Sequence, residues 1–374
     1  MARSRRFIAP VAVAGLIAAG AAVLPNLHAS AAPKLPSISA AKLLAKADSS
    51  HVRDLSGTVQ WTANLGFPSL DGLTNGAGQS APSSSSGFKA TSLVSGTHTF
   101  KVWVAGQSEQ RVAVPGQLAE SDFVRHGNQA WLWDSSTAKV THLVLASSSS
   151  PMGRDANRAA APQASLSPQA VAHQVLTGLH RSDTTVSVST PQRIAGRAAY
   201  VLRLSPDRAV AANRGSTVAS VDIAVDAHTG LPLRVSVYAE GQKAPALQVG
   251  YTSLSLATPA AADFAIPHGT TVKTKVLRAH PVARSEQMRA AGTASRPTVV
   301  GSRWGSVVDL TTSEAGSMTT SPELNTVTKA VSGSWGSGRL LHSALLNALL
   351  LPDGHVLVGF TTPATLEQAA RTAR

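Results

Sequence analysis

The chain has 374 residues and a mass of 38.4 kDa, which is enough to bury a sizeable core and to form one large domain and a smaller one. Its formal net charge of +13 would attract an anionic phospholipid surface or an acidic partner, although the charge equally serves to keep the chain soluble. The absence of cysteine excludes disulfides, cysteine-ligated zinc, a thiol nucleophile and a lipid-modified cysteine.

Residues 1–31 have the pattern of an export signal. Arginines near the N-terminus precede an apolar run over 7–24, and Ala29–Ala31 fits the small-x-small cleavage rule. Cleavage there would start the mature chain at Ala32. The alternative is an uncleaved N-terminal membrane anchor, because the apolar run is nearly long enough to span a bilayer. Pro10 inside the run and the good cleavage site favour removal, so we expect an exported protein, secreted or held in the cell-envelope space.

The first part of the mature chain predicts a helix followed by a meander of strands. An amphipathic helix is expected over Ile38–Ser50, with Ser37 or Ser39 as its cap. The strand-like runs that follow are separated by short Gly, Pro and Asn turns, so each strand pairs with its neighbour in sequence and a parallel α/β sheet is disfavoured. The runs are Leu55–Leu65, Gly96–Val104, Glu109–Val114, Glu120–Arg125, Gln129–Trp133 and Lys139–Leu145.

A second helix and five more strands complete the pattern. The helix is predicted over Ser167–Leu179, with Pro168 in its first turn, where proline is tolerated. Gly-, Ser- and Ala-rich stretches at 67–95 and 146–164 are predicted surface loops. The remaining strands are Thr184–Val188, Ala198–Leu204, Thr217–Val225, Leu231–Ala239 and Leu247–Leu256.

The clearest strand pair lies at 221–237, where apolar and polar residues alternate on both sides of a polar turn at 226–230. Gly230 can take a positive φ in that turn. Asp222 and Asp226 fall on the polar face, where we interpret them as surface carboxylates and not as a catalytic pair. The opposite face of this hairpin is uniformly aliphatic and needs a cover.

This hairpin resembles the late hairpin of the LolA/RseB-type lipoprotein-carrier superfamily. The residues that carry the resemblance are Asp226, Thr229 and Gly230–Arg234, together with a helix followed by a Leu-Ser-Gly-Thr-Val strand from Leu55. The resemblance covers roughly residues 35–266. It implies a mainly β (α+β) fold, in which an exported open antiparallel half-barrel of about eleven strands is covered by helices. It also implies a carrier that holds acyl lipid or lipoprotein reversibly. The alternative is an RseB-like regulator that binds a membrane anti-sigma factor and senses envelope lipids.

The predicted domains are therefore a signal peptide at 1–31, the half-barrel at 32–266, a basic linker at 267–297 and a small C-terminal α/β segment at 298–374. Six lysines and arginines in the linker face one acid, Glu286. In the last segment we predict an apolar helix over Arg339–Leu351, a turn, a strand over His355–Phe360 and a closing helix over Ala364–Ala370.

Motifs for catalysis, metals and cofactors are missing. The sequence contains no Gly-x-Ser-x-Gly elbow, no His-Glu-x-x-His helix and no Walker-type phosphate loop. The glycine-rich stretch Gly333–Gly338 could hold an anion but lacks a lysine, and a flexible connection explains it more simply. The twelve histidines are scattered. We therefore expect no enzymatic activity, no metal and no cofactor, and the lack of a compact basic motif speaks against a nucleic-acid partner.

The candidate binding residues are aromatic and aliphatic residues on the strands. Trp131 and Trp133 share a face because side chains alternate along a strand, although any single tryptophan could simply fill the core. An apolar concave sheet with few helices leaves surface that an acyl chain could cover, and each buried CH₂ contributes about 0.8 kcal/mol. The two helices would act as a lid. The predicted lipid-binding, cavity-lining residues are Val59, Trp61, Phe100, Val102, Trp131, Trp133, Val221, Ile223, Leu233 and Val235.

Overall fold

One open antiparallel sheet forms the larger part of the fold. The computed structural model describes residues 32–66, 95–116, 120–144, 167–178, 182–266, 271–276, 298–311 and 326–372. The predicted signal sequence and the low-complexity stretches at 67–94 and 146–164 lie outside these residues.

Eleven strands of this sheet coincide with the eleven predicted ones, although several ends differ. In chain order they are β1 (Leu55–Asn64), β2 (Ser95–Ala105), β3 (Glu109–Pro115), β4 (Glu120–His126), β5 (Gln129–Asp134), β6 (Lys139–Val144), β7 (Thr184–Ile194), β8 (Arg197–Pro206), β9 (Val218–Asp226), β10 (Pro232–Ala239) and β11 (Leu247–Ser255).

These strands are neighbours in the order β6-β5-β4-β3-β2-β1-β11-β10-β9-β8-β7, and all of them pair antiparallel. The predicted open antiparallel sheet is therefore confirmed. Two meanders meet at its centre, where β1 pairs with β2 on one side and with β11 on the other. Gly57 in β1 lies so close to β11 that a Cβ atom there would be 2.4 Å from the carbonyl oxygen of Ser253.

A strand also forms inside the segment predicted as a basic linker. β12 (Thr271–Val276) pairs with β6 in parallel, so the described part of the main sheet has twelve strands. Its threonines and valines are β-branched and favour extended structure. The two lysines between them, at positions 273 and 275, gave the segment the composition of a solvated linker.

Two helices pack on the main sheet as predicted. α1 (Ala40–Asp48) is capped by Ser39, whose hydroxyl accepts a hydrogen bond from the backbone N–H of Lys42, and it buries Leu43 and Ala47. α2 (Pro168–Thr177) is capped in the same way by Ser167. Among the described residues, no helix is both long enough and apolar enough to cross a membrane.

The turn between β9 and β10 is built around Asp226. One carboxylate oxygen accepts hydrogen bonds from the backbone N–H groups of His228 and Thr229, at 3.0 and 2.7 Å, and the other accepts from Arg197 at 2.6 Å. Burial alone would raise the pKa of Asp226, but the hydrogen bonds from Arg197 and Thr229 outweigh it and lower the pKa below its usual value.

The interpretation of Asp222 and Asp226 as surface carboxylates is therefore wrong. Asp226 is 1% exposed and Asp222 is 6% exposed. Arg203 holds Asp222 with two hydrogen bonds of 2.7 Å. The alternation correctly placed both acids on the polar face, but long arginine side chains from β8 cover that face and pair with them.

The C-terminal part forms a second antiparallel sheet with one covering helix in the described residues. The strands are β13 (Thr298–Val300), β14 (Val307–Thr311), β15 (Lys329–Gly333), β16 (Gly336–Leu341), β17 (Asn347–Leu350) and β18 (His355–Gly359). They are neighbours in the order β13-β14-β18-β17-β16-β15. α3 (Pro363–Thr372) packs against this sheet and buries Leu366, Ala369 and Ala370.

The predicted helix over Arg339–Leu351 is wrong, because this stretch contains the end of β16, a turn and β17. A short apolar run does not distinguish a buried helix from a buried strand. The turn is held by Asn347, which is fully buried: its side chain accepts from the backbone N–H of Ser343 at 2.9 Å and donates to the carbonyl of Thr361 at 2.7 Å. The predicted final strand and closing helix both form.

The second sheet is joined to the β8–β9 connection by backbone hydrogen bonds. The N–H of Thr217 donates to the carbonyl of Phe360 at 3.0 Å, and the N–H of Thr362 donates to the carbonyl of Gly215 at 2.7 Å. Ser216 and Thr361 form an isolated β-bridge between them. This junction fixes the second sheet beside one end of the helix-covered face of the main sheet.

Candidate functional site

A cavity of about 600 Å³ lies against the helix-covered face of β1, β9, β10 and β11. The strands form the floor of this cavity, and their register determines which side chains line it, because residues paired directly across an antiparallel sheet point to the same face. One row runs from Trp61 to Val249 and Val235, and the next runs from Leu247 to Val237 and Val221. All six side chains line the cavity. These two rows make the floor largely apolar, with Gln248 as its polar residue.

Helix α2 forms a second wall. Val171 and Val175 are one helical turn apart and both line the cavity, together with Gln174. The helix is attached to β11 by Gln169, whose amide donates to the hydroxyl of Tyr251 at 2.7 Å. Burial raises the pKa of Tyr251, so this hydroxyl stays protonated and the anchor is neutral.

The third wall comes from the second part of the chain. Arg303, Trp304 and Phe360 line the cavity there, beside Asp183 and Thr184 at the start of β7. The indole N–H of Trp304 donates to the hydroxyl of Thr184 at 2.9 Å, and that hydroxyl donates to a carboxylate oxygen of Asp183 at 3.1 Å. The guanidinium of Arg303 lies 3.2 Å from the other oxygen of Asp183. This wall alone carries ionic side chains.

The cavity contains some of the residues predicted to line it. Trp61, Val221 and Val235 are on its floor. Five others are buried in the core and do not line the cavity: Val59, Phe100, Val102, Ile223 and Leu233. These five point to the predicted face, but neighbouring side chains of the protein already cover them.

The placement of Trp131 and Trp133 in the cavity is wrong. Ala130 and Leu132 are the residues of β5 on the cavity face. Leu132 pairs with Phe123, and Phe123 pairs with Val112. This row of side chains points to the same face as the paired residues Phe100 and Val59. Both tryptophans lie on the opposite face, where Trp131 stacks on His142 with ring centroids 4.9 Å apart. A period of two shows that two residues share a face, but not which face it is.

Two of the walls could be found only partly from the sequence. The helix over 167–179 was predicted, but its cavity-facing valines were not singled out. Trp304 is one of only six tryptophans in the chain, which is a usable signal. Arg303 and Phe360 carry no local signal, because their partners Asp183 and Thr217 lie more than a hundred residues earlier in the sequence.

The described residues contain no group of three or more His, Asp or Glu side chains that could hold a metal ion. The buried acid Asp122 lies on the face opposite the cavity and is paired with Arg111 at 2.6 Å. Burial raises the pKa of Asp122, and the charge of Arg111 opposes that shift. Trp103 packs on the same guanidinium, 5.2 Å from its ring centroid, so this cluster has the contacts of a structural ion pair.

Comparison with known proteins gives no family model and no curated protein that matches the chain. Among solved structures, the Pseudomonas aeruginosa MucA/MucB complex is similar at 18% identity and a TM-score of 0.40, over 88% of this chain and 95% of that one. A LolA superfamily protein from Nitrosomonas europaea is similar at 13% identity and a TM-score of 0.22, over 62% of this chain and 99% of that one. These likenesses, like the predicted LolA/RseB resemblance, concern the fold alone.

Proposed function

We propose that the protein binds an acyl lipid, or the acyl chains of a lipoprotein, reversibly in this cavity and acts in the cell envelope as a carrier or chaperone. The observation that carries the proposal is the cavity of about 600 Å³, with its apolar floor, between the main sheet, α2 and the segments around Arg303 and Phe360. Its volume falls within the usual range of small-molecule sites, about 300–1,000 Å³.

Hydrophobic burial supplies enough free energy for such binding. Each CH₂ removed from water contributes about 0.8 kcal/mol, so a long acyl chain gains on the order of 10 kcal/mol before the costs of association and ordering. No covalent chemistry is required, and the walls supply none. The export signal expected at residues 1–31 would bring the protein to the compartment where envelope lipids are available.

Trp61 and Trp304 make the proposal directly testable, because both indoles line the cavity. A fatty acid brominated along its chain quenches tryptophan fluorescence only at short range. We expect the tryptophan fluorescence of the wild-type protein to fall to a plateau as the concentration of this fatty acid rises. The decrease should be smaller in the Trp61→Phe and Trp304→Phe variants. Trp131→Phe is the matched control, since Trp131 lies on the opposite sheet face and its loss should leave the amount of fluorescence that the brominated fatty acid quenches unchanged.

Quenching that does not saturate, or that is reduced as much by Trp131→Phe as by Trp61→Phe, would count against the cavity as the binding site. Circular dichroism of each variant shows whether the fold has been kept.

The second candidate is a regulator that senses a lipid and binds a membrane protein, such as an anti-sigma factor. The second sheet favours it, because the connection between its strands β13 and β14 lines the cavity, while the strands themselves expose Val299 (64%) and Leu310 (38%) to solvent. MucB, one of the similar structures, was solved in complex with MucA. Transfer of labelled lipid between vesicles by the protein would support the carrier. Binding of a membrane protein with an affinity that changes when lipid is added would support the regulator.

A further inference from the structure

The cavity is apolar on its floor and helix walls, but a guanidinium group lies in its third wall. Building on the proposed function, we infer that Arg303 binds the anionic head of an amphipathic lipid, a carboxylate or a phosphate, while the acyl chain lies along the valine floor. The ligand class is thus an anionic single-chain or phosphate-bearing lipid and not a neutral one.

The backbone of Arg303 is held firmly. The residue has a φ of +68°, an uncommon conformation for a side chain other than glycine. Its carbonyl accepts a hydrogen bond from the hydroxyl of Ser306 at 2.7 Å. Two residues on, Gly305 packs so tightly that a Cβ atom would be 2.4 Å from the carbonyl oxygen of Ala212. The side chain therefore starts from a fixed point in the wall.

The guanidinium is also oriented by a buried partner. The carboxylate of Asp183 is fully buried, and Thr184 donates to its second oxygen. The backbone carbonyl of Asp183 accepts from the side chain of Asn213 at 2.8 Å, which is itself fully buried. Asp183 is thus a positioning residue: its buried carboxylate lies at ion-pairing distance from one nitrogen of the guanidinium and attracts that side of it.

The other edge of the guanidinium remains available. Arginine has five N–H donors in a planar fork that matches a carboxylate or a phosphate in two parallel hydrogen bonds. Among the described residues, Asp183 is the sole acid within ion-pairing distance, and the Arg303 side chain is still 36% exposed. Because Arg303 and Asp183 carry opposite charges, no uncompensated charge lies beside the valines of the floor.

We expect the affinity for a lipid with an anionic head to exceed that for a neutral one by a limited factor. Hydrogen bonds to charged groups are roughly twice as strong as neutral ones. Asp183 nevertheless repels an incoming anion, so we expect a preference of about tenfold for an anionic head over a hydroxyl on the same chain. The preference should shrink as salt concentration rises, since part of the group is open to solvent.

Three probes with the same hydrocarbon chain test the inference: palmitate, hexadecyl phosphate and hexadecanol, each titrated against a fluorescent fatty acid bound to the full chain. We expect both anions to displace it at about tenfold lower concentration than hexadecanol. Arg303→Gln should remove that difference by weakening the binding of the two anions about tenfold relative to hexadecanol. Arg303→Lys keeps the charge without the fork and should retain part of the preference.

The matched control is Arg193→Gln. Arg193 is another exposed arginine of the main sheet, and its guanidinium bonds the carbonyl of Gly196 in its own turn. Its loss should change none of the three affinities. A preference for palmitate but not for hexadecyl phosphate identifies a carboxylate as the head, and the reverse identifies a phosphate.

Equal displacement by all three probes in the wild-type protein overturns the inference and leaves the acyl-binding cavity standing. Failure of all three to bind overturns the proposed function instead. A preference that persists in folded Arg303→Gln also contradicts the role of this side chain, and the wild-type comparison decides the question of anion preference even if that variant does not fold.

Discussion

Gly230 lies directly against the last turn of α1, where a Cβ atom would be 2.4 Å from the carbonyl oxygen of Lys46. The ammonium of Lys46 in turn donates to the carbonyl of His228 at 3.2 Å. The Asp-x-x-Thr-Gly turn therefore joins the first helix of the domain to the hairpin of β9 and β10. This contact gives the motif a packing role beyond the reversal of the chain.

Replacing this glycine separates the packing role from backbone strain. Gly230→Ala should destabilise the protein by more than the ~1–2 kcal/mol that a left-handed conformation costs an L-residue, because the new methyl group also meets backbone of α1. Gly241→Ala is the matched control: its φ of +75° equals that of Gly230 (+77°) within two degrees, but nothing lies within 4 Å of its Cβ position. Urea unfolding of both variants measures the difference, and equal losses would show that α1 can move aside.

Asp226 should make stability depend on acid pH. Its pKa is lower in the folded chain than the usual value of about 3.9, so its contribution is fully present above that value and is lost as the pH falls through the folded pKa. Asp226→Asn should cost about 1–3 kcal/mol at neutral pH, because the turn and Arg197 lose a charged acceptor. The difference in unfolding free energy between the variant and the wild type should disappear as the pH falls into the acid range.

Unfolding free energies measured from neutral pH into the acid range check this prediction. The control is Asp48→Asn, which makes the same exchange at an exposed aspartate at the end of α1. A gap between Asp226→Asn and the wild type that stays constant in acid would mean that the carboxylate does not titrate as inferred.

Filling the cavity should block binding without unfolding the sheet. Val221→Phe places a larger side chain on the floor, where it occupies space that an acyl chain would use. If a few methylenes are displaced, at about 0.8 kcal/mol each, affinity for palmitate should fall at least about tenfold. Val299→Phe makes the same exchange at a site that is 64% exposed. Its affinity should match that of the wild type, and the melting temperature of each variant reports whether the fold survived.

Alternation of apolar and polar residues was enough to predict the eleven antiparallel strands and both sheet-covering helices. The errors have local causes. β7 was expected to end at Val188 but continues to Ile194, because a bulge between Ser189 and Gln192, where Pro191 lies, interrupts the period of two. An irregularity of this kind hides the second half of a strand from any pattern of alternation.

The site was less predictable than the fold. Valines of the hairpin were correctly placed on a face that needs a cover, but whether a given side chain meets a cavity or a neighbour depends on packing across the whole domain. Val235 lines the cavity, whereas Ile223, its direct cross-strand partner, is fully buried. The contact of Arg303 with Asp183 joins distant parts of the chain, and no local pattern encodes it.

The pairing of β1 with β11 has a consequence for how the molecule forms. Nearly two hundred residues separate the partners Thr58 and Ser253. During synthesis the opening strand of the domain must wait, with one set of its backbone groups unsatisfied, until almost the whole of that domain has left the ribosome. Pairing between strands so distant in sequence slows folding and prolongs the exposure of unpaired strand edges, which can aggregate. A chain of this design is therefore open to wrong strand pairing until its last strands have been made.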